Sequence, residues 1–362
     1  MKKLQKLARL PSNQAKRQKG FTLVELMVAL ALSLLVVLAS VSALLVSRQG
    51  FTSVDAASQL RDNARFATDF ITRLSVQSGF KDVAFVDTVN QSLFSSKGVS
   101  ADPDPPIFGF NNAVLPTGTD PIGAASNESR DGNCTVAEGT SCANGSDILV
   151  MRYQTGSTNT DSALGGLEVD NAMFNCAGVP QSNTPTSSTD VIESILFVGI
   201  SQTTKEPALM CKYRNNAGTT WAPTTPLVEG VESFQVLYGT DGVVPNTVPV
   251  AAAPLGTPPT AGQPDSIPER YLRADQLTVA GNTTATNENW RRVRSLRIGL
   301  IIRGAVGSAQ DRDAAPALTP LGSAFAVSTD KQSSFVQTPA TGDGRARQVV
   351  TFTVYLHNYQ GI

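Results

Sequence analysis

The chain has 362 residues, of which 41% are hydrophobic, so it can bury a core of one large or two modest domains. Its formal charge of −1 conceals two unlike pieces. Seven of the 29 basic residues (Lys2, Lys3, Lys6, Arg9, Lys16, Arg17, Lys19) precede Gly20, with no acid among them; the remaining 22 face all 30 acidic residues. A chain that is acidic beyond its tail argues against a general nucleic-acid-binding surface.

The basic tail ends at KGFTLVELMVAL, residues 19–30, where an apolar run begins with one carboxylate, Glu25, inside it. Residues 26–46 hold no charge. As a helix they would span roughly 30 Å, about one hydrocarbon thickness. Ser33, Ser40 and Ser42 interrupt the run only mildly, because a hydroxyl can bond back to the preceding turn. The run is longer than the core of a secretory signal peptide. Basic residues before it orient the tail to the cytoplasm and send the rest across the membrane.

From residue 47 to 78 no proline occurs, and after Gly50 no glycine until Gly79. Val54, Ala57, Leu60, Ala64, Ala67, Phe70, Ile71 and Leu74 recur mostly at three and four residues, the pattern of an amphipathic helix with one face for a core. The two halves predict one helix of nearly sixty residues, roughly 85 Å if straight. Gly79 is the expected terminator, and Gly50 a candidate bend.

Beyond Gly79 the period changes to strands, clearest at 147–153, 191–198, 231–238, 296–302 and 349–356. In the last, Val350, Phe352, Val354 and Leu356 share one face and Thr351, Thr353 and Tyr355 the other, as in a half-buried antiparallel strand. Leu296, Ile298, Leu300 and Ile302 alternate likewise, with Ile301 a candidate contact for the helix. Polar and Gly/Pro-rich stretches at 97–146, 154–189, 214–226, 240–268 and 306–342 are too long for hairpin turns. The fold class that follows is α+β: a long N-terminal helix on an antiparallel β-rich head with long loops.

Four cysteines, Cys134, Cys142, Cys176 and Cys211, all lie in the translocated part, where two disulfides are expected. Cys134–Cys142 with Cys176–Cys211 is the simplest of three connectivities. Zinc is disfavoured, because no CxxC pair occurs and His357 is the single histidine. No metal, cofactor or catalytic residue is assigned: neither a Walker A loop nor GxGxxG nor HExxH is present, and one histidine makes a Ser-His-Asp triad a guess. DPDPP at 102–106 lacks EF-hand spacing and reads as a stiff turn. Trp290, Arg291, Arg292, Arg294 and Arg297 form a basic cluster, read as a solvated strand edge or subunit contact rather than a DNA surface.

A basic leader, then Gly20-Phe21-Thr22-Leu23-Val24-Glu25 and about twenty apolar residues, resembles the class III signal of type IV pilins and pseudopilins. LRDNARFATDFITRLSVQSGF (60–80), SDILVMRY (146–153), LVEGVESFQVLYGTD (227–241), VRSLRIGLIIRG (293–304) and RQVVTFTVYLHN (347–358) further resemble the PilW family of minor pilins, with Tyr238, Gly239 and Asp241 matching its YG-D pattern and Arg347 its late arginine-led strand. The resemblance implies cleavage between Gly20 and Phe21 by prepilin peptidase, N-methylation of Phe21, and a role in assembly for Glu25, whose carboxylate would meet the Phe21 amine of a neighbour. It implies a cytoplasmic leader at 1–20, a membrane and assembly helix at 21–46, an amphipathic stalk at 47–79 and a periplasmic head at 80–362. The chain would sit in the bacterial inner membrane and then in the pilus, with a position at the tip among the expectations the resemblance carries. Expected partners are other minor and major pilins, inner-membrane platform proteins, a cytoplasmic ATPase and a tip adhesin. Adhesion, twitching motility or DNA uptake would be consequences of the pilus. A J-type minor pseudopilin of type II secretion shares signal, stalk and head, and is the alternative; a membrane-anchored extracytoplasmic enzyme is the third reading.

Overall fold

The computed structural model describes residues 20–82, 104–115, 122, 142–160, 166–181, 184–187, 190–215, 220–254, 256–309, 316–325 and 336–358. The chain divides into two units, residues 1–52 and 53–362. Helix α1, Leu23–Gln77, is 55 residues long and remains helical at Gly50. In the first unit every described residue from 20 to 52 is exposed, and this part of α1 is long and apolar enough to cross a membrane. A helix apolar on all sides requires lipid or other helices around it.

In the second unit, Ala56, Leu60, Ala64, Ala67, Ile71 and Leu74 of α1 are buried. All but Ala56 join the main core cluster. Gly79, at φ +81°, ends the helix as expected; a Cβ there would lie 2.4 Å from the Asn358 carbonyl oxygen, so both conformation and space require glycine. Asn358 also donates to the Val76 carbonyl near the helix end at 2.7 Å.

The head holds two antiparallel sheets and a hairpin. The first sheet runs in the order β1 (Ile107–Phe110), β2 (Ile148–Tyr153), β5 (Ile192–Ile200), β6 (Pro207–Asn215) and β7 (Thr225–Glu229). The second has the order β11 (Arg347–Tyr355), β10 (Val293–Arg303), β8 (Val231–Thr240) and β9 (Arg270–Leu272). β3 (Ser157–Thr160) and β4 (Gly166–Val169) form the hairpin. Two short helices, α2 (Ala274–Leu277) and α3 (Thr283–Arg291), lie between β9 and β10.

Leu149, Met151, Tyr153, Leu196, Val198, Leu209 and Cys211 of the first sheet enter the main core with α1 and the second sheet. Their neighbours Ile148, Val150, Ile195, Phe197, Ala208 and Met210 enter a second cluster capped by Trp221. Strands buried on both faces need no polar alternation. In the second sheet, Leu296, Ile298, Leu300 and Ile302 face the main core as expected, with Val350, Phe352 and Leu356 of the C-terminal segment against it.

Ile301 requires a correction. It is fully buried, but pleating sends it to the face opposite the one that holds the helix residues, so it is not their contact. That face is partly covered by the segment around Pro320: Thr351 Oγ1 donates to the Pro320 carbonyl at 2.6 Å, and Leu321 packs with Leu237. The five expected strands all form; β1, β3, β4, β6, β7 and β9 add to them, several inside stretches read as loops.

Candidate functional site

At the N-terminus, Gly20 is exposed with nothing within 4 Å of where a Cβ would stand, and Phe21 is 86% exposed. Thr22 stands immediately before the helix. Its backbone N–H and hydroxyl both donate to Glu25 Oε2, at 2.9 and 3.0 Å, and Glu25 N–H returns a bond to Thr22 Oγ1 at 3.3 Å. These reciprocal bonds make a capping box. The Thr-x-x-Glu spacing was a legible signal for it that the motif reading had not used. Glu25 therefore has local donors as well as the favourable N-terminal end of the helix dipole. Further along, Ser33, Ser40 and Ser42 each donate to a carbonyl of the preceding turn, at 2.9, 2.7 and 2.9 Å. Their hydroxyls are thus satisfied without water, as a helix in hydrocarbon requires.

The head's distinctive residues are structural. Tyr238 is buried edge-on against Trp290, ring centroids 4.7 Å apart. A Cβ on Gly239 would fall 2.1 Å from Ser295 Oγ and 3.0 Å from the Tyr271 ring, so any larger residue would displace neighbouring side chains. Asp241 is fully buried; it accepts the N–H groups of Asp265 and Ser266 at 2.8 and 2.9 Å and pairs with Arg294 at 3.2 Å. The YG-D pattern thus encodes a core aromatic, a close backbone approach and a loop anchor. Asp241, Asp265 and Glu269 bring carboxylate oxygens within 4.8 Å of one another, but Arg294 already supplies the cation for Asp241, and Glu269 accepts the Gly242 N–H at 2.7 Å.

Arg347 opens β11 inside a charge network. It bonds Glu232 at 2.5 Å and Asp343 at 2.5 Å; Arg303 and Arg345 bond Glu206 at 2.7 and 3.0 Å. Glu206 lies in the turn before β6 and Arg303 at the end of β10, so the network ties one sheet to the other. Its hydrogen bonds to Arg345 and Arg303 hold the Glu206 carboxyl below the usual range despite the opposing effect of burial.

The basic cluster is not a solvated edge, which corrects that expectation. Arg292 is 1% exposed and bonds Glu288 and the Val250 carbonyl; Arg291 pairs with Glu288, and Arg294 with Asp241. Arg297 lies over the Phe325 ring and donates to the Leu321 carbonyl. Each cation is spent inside the head. His357 is exposed. In DPDPP, Asp104 pairs with Arg152 at 3.6 Å, while Asp102 and Pro103 lie outside the described residues.

Cys176 and Cys211 are bonded to each other, both fully buried, joining the segment after β4 to β6. Cys142 is also in a disulfide. Cys134, its expected partner, lies outside the described residues.

Asp147 joins the two sheets from just before β2. Its carboxylate accepts the N–H of Asn112 at 2.9 Å and of Val236 at 2.8 Å, and its own N–H donates to the Phe234 carbonyl at 2.8 Å. Burial pushes this carboxyl up to about 7 against the pull of those N–H donors, and the charge of Asp275 adds to the rise. A folded-state value above the unfolded one gives a stabilising term that is full below the unfolded value and lost as pH rises through about 7. Chemical unfolding of the full chain in detergent should therefore lose up to roughly 4 kcal/mol from this group between pH 4 and pH 7. Asp147→Asn should flatten that part of the profile; an unchanged difference between variant and wild type across the range would refute the assignment.

Residues 195–358 match the family model described as type IV pilus-assembly protein W, PilW, and residues 15–41 match the prokaryotic N-terminal methylation motif. No curated protein matches the sequence. A solved structure, a type IV-like pilin from Thermus thermophilus, aligns over 83% of this chain and 98% of its own at 15% identity, with a TM-score of 0.35.

Proposed function

The chain is a PilW-family protein with a class III signal ahead of its head, and from that premise we propose that it is a minor pilin that coassembles with other minor pilins to prime type IV pilus assembly at the tip. The observation that carries this reading is the join itself: the methylation motif at 15–41 opens an uncovered apolar helix, and the PilW match occupies the head at the other end. Prepilin peptidase cuts between Gly20 and Phe21 and Phe21 is methylated, which leaves a cation at the new terminus. The helix waits in the inner membrane with the head in the periplasm, and platform proteins and a cytoplasmic ATPase drive its transfer into the pilus. Glu25, held by Thr22 in the single chain, then meets the Phe21 amine of a neighbouring pilin.

The head contributes shape rather than chemistry. Several of its buried charges are matched by opposite charges, as in Glu193 between Arg152 and Arg214. Contact with an adhesin, and the adhesion, twitching motility or DNA uptake that follow, belong to the assembled pilus.

Mass spectrometry of the chain from cells with active prepilin peptidase should give an N-terminus at Phe21 carrying one added methyl group. A chain that still begins at Met1 would overturn the reading. The same sample digested without reduction should contain Cys134 joined to Cys142 as well as Cys176 joined to Cys211.

A further inference from the structure

The border strand of an antiparallel sheet leaves half of its backbone N–H and C=O groups without a ladder partner, and proteins blunt such borders with short strands, proline, lysine or bulges. Three of the four borders of the two larger sheets are blunted. β1 has four residues and follows Pro105 and Pro106; β7 has five, contains Pro226 and shifts register against β6; β9 has three. β11 is different. It runs for nine residues in unbroken register with β10 and holds no proline, glycine, lysine or acid. Its one charge, Arg347, is taken up by Glu232 and Asp343.

The register fixes which backbone groups of β11 face outward. The Leu356 N–H donates to the Arg294 carbonyl, and the Gly304 N–H donates to the Ala346 carbonyl, so the even-numbered residues of β11 bond to β10. The backbone groups of Arg347, Val349, Thr351, Thr353 and Tyr355 therefore point away from the sheet, and among the described residues they have no partner there. Val349, Thr351, Thr353 and Tyr355 are also exposed. The Pro320 carbonyl accepts the hydroxyl of Thr351, not its backbone N–H.

An extended strand fits such a row, and β11 itself has the matching pattern. Set antiparallel to a second copy about a two-fold axis at Thr351, every outward residue finds a partner: Thr351 with Thr351, Val349 with Thr353, and Arg347 with Tyr355, for up to about ten hydrogen bonds. On the core side Val350 meets Phe352, a β-branched residue against an aromatic, and both are only half-buried in the single chain. No like charges oppose each other. Either neighbouring symmetric register leaves an outward residue of each copy unpaired. We infer that β11 is a self-pairing edge, where two copies of this chain join their four-stranded sheets into one continuous sheet. The pairing stands on the head alone and is independent of the pilus reading.

The test uses the full chain in native membranes, as two tagged versions expressed together, one with Val349→Cys and the other with Thr353→Cys. Copper-phenanthroline oxidation followed by peptide mapping should find a disulfide between the two versions. Adducts of like with like should be about tenfold fewer, because the same residue of two copies lies about 14 Å apart in this register, beyond disulfide reach. Thr353→Pro in the Val349→Cys version removes an outward N–H that β10 does not use, a change an edge strand tolerates, and should cut the mixed adduct about tenfold. In detergent the fluorescence of Trp221 and Trp290 should keep the wild-type unfolding midpoint in that version; if the midpoint falls, the cysteine pair decides alone. Absence of the mixed adduct, like-with-like adducts as abundant as mixed ones, a cysteine joined mainly to a different protein, or a mixed adduct undiminished in the folded proline version would overturn the self-pairing.

Discussion

Glu25→Ala should leave the chain inserted in the membrane but reduce its incorporation into pili by about tenfold or more. Insertion depends on the apolar run, which the substitution lengthens. The local loss is one half of a capping box, about 1 kcal/mol of helix stability. Assembly places a heavier demand on the residue. A methylated Phe21 amine carried into a packed bundle of helices needs an anion, and the stranding of one buried charge costs about 3–5 kcal/mol. Thr22→Val separates the two roles. It removes the hydroxyl that bonds Glu25 Oε2 at 3.0 Å and keeps the carboxylate. If Glu25 acts in assembly through the neighbour's amine, Thr22→Val retains most incorporation while Glu25→Ala does not. Equal loss in both variants, measured by immunoblot of sheared pili against the membrane fraction, would reduce Glu25 to a helix cap.

The second large effect belongs to the head. Glu193→Ala should destabilise the full chain in detergent by about 3–5 kcal/mol, read from urea unfolding. The Glu193 side chain is 2% exposed and lies between two arginines: Arg152 Nε approaches one oxygen at 2.6 Å and Arg214 Nε bonds the other. Both arginines also lie over rings, Arg152 on Phe108 and Arg214 on Trp221. Removal of the acid leaves two guanidinium groups with rings but without their shared counter-charge. Glu193→Gln preserves the shape and some hydrogen bonding and should lose less. An alanine variant within about 1 kcal/mol of wild type would show that the rings and water suffice.

The sequence was most readable where one face of an element meets water. β11 alternates Val350, Phe352 and Val354 with exposed Thr351, Thr353 and Tyr355, and its period is visible in the letters alone. The amphipathic part of α1 is legible for the same reason. β6 was not found, because PALMC is buried on both faces and the more polar KYRN that completes the strand reads as the start of a loop. β1 and β7, of four and five residues, are too short to declare a period. The arginine cluster was misread because half of its explanation is distant. Glu288 stands three and four residues before Arg291 and Arg292, a local signal. Asp241 reaches Arg294 only through the pairing of β8 with β10, which a linear reading does not supply. The N-terminal methylation motif lies in one short stretch, where its resemblance is legible; the capping bond between Thr22 and Glu25 was present in the Thr-x-x-Glu spacing.

The central claim is that the chain works as a subunit among pilins. Crosslinking of the full chain in native membranes, followed by identification of the joined peptides, tests it most directly. The account predicts joined peptides from type IV minor and major pilins, with this chain beginning at Phe21 in the same adducts. Adducts confined to the pseudopilins of a type II secretion system, or a chain joined to no pilin at all, would contradict it.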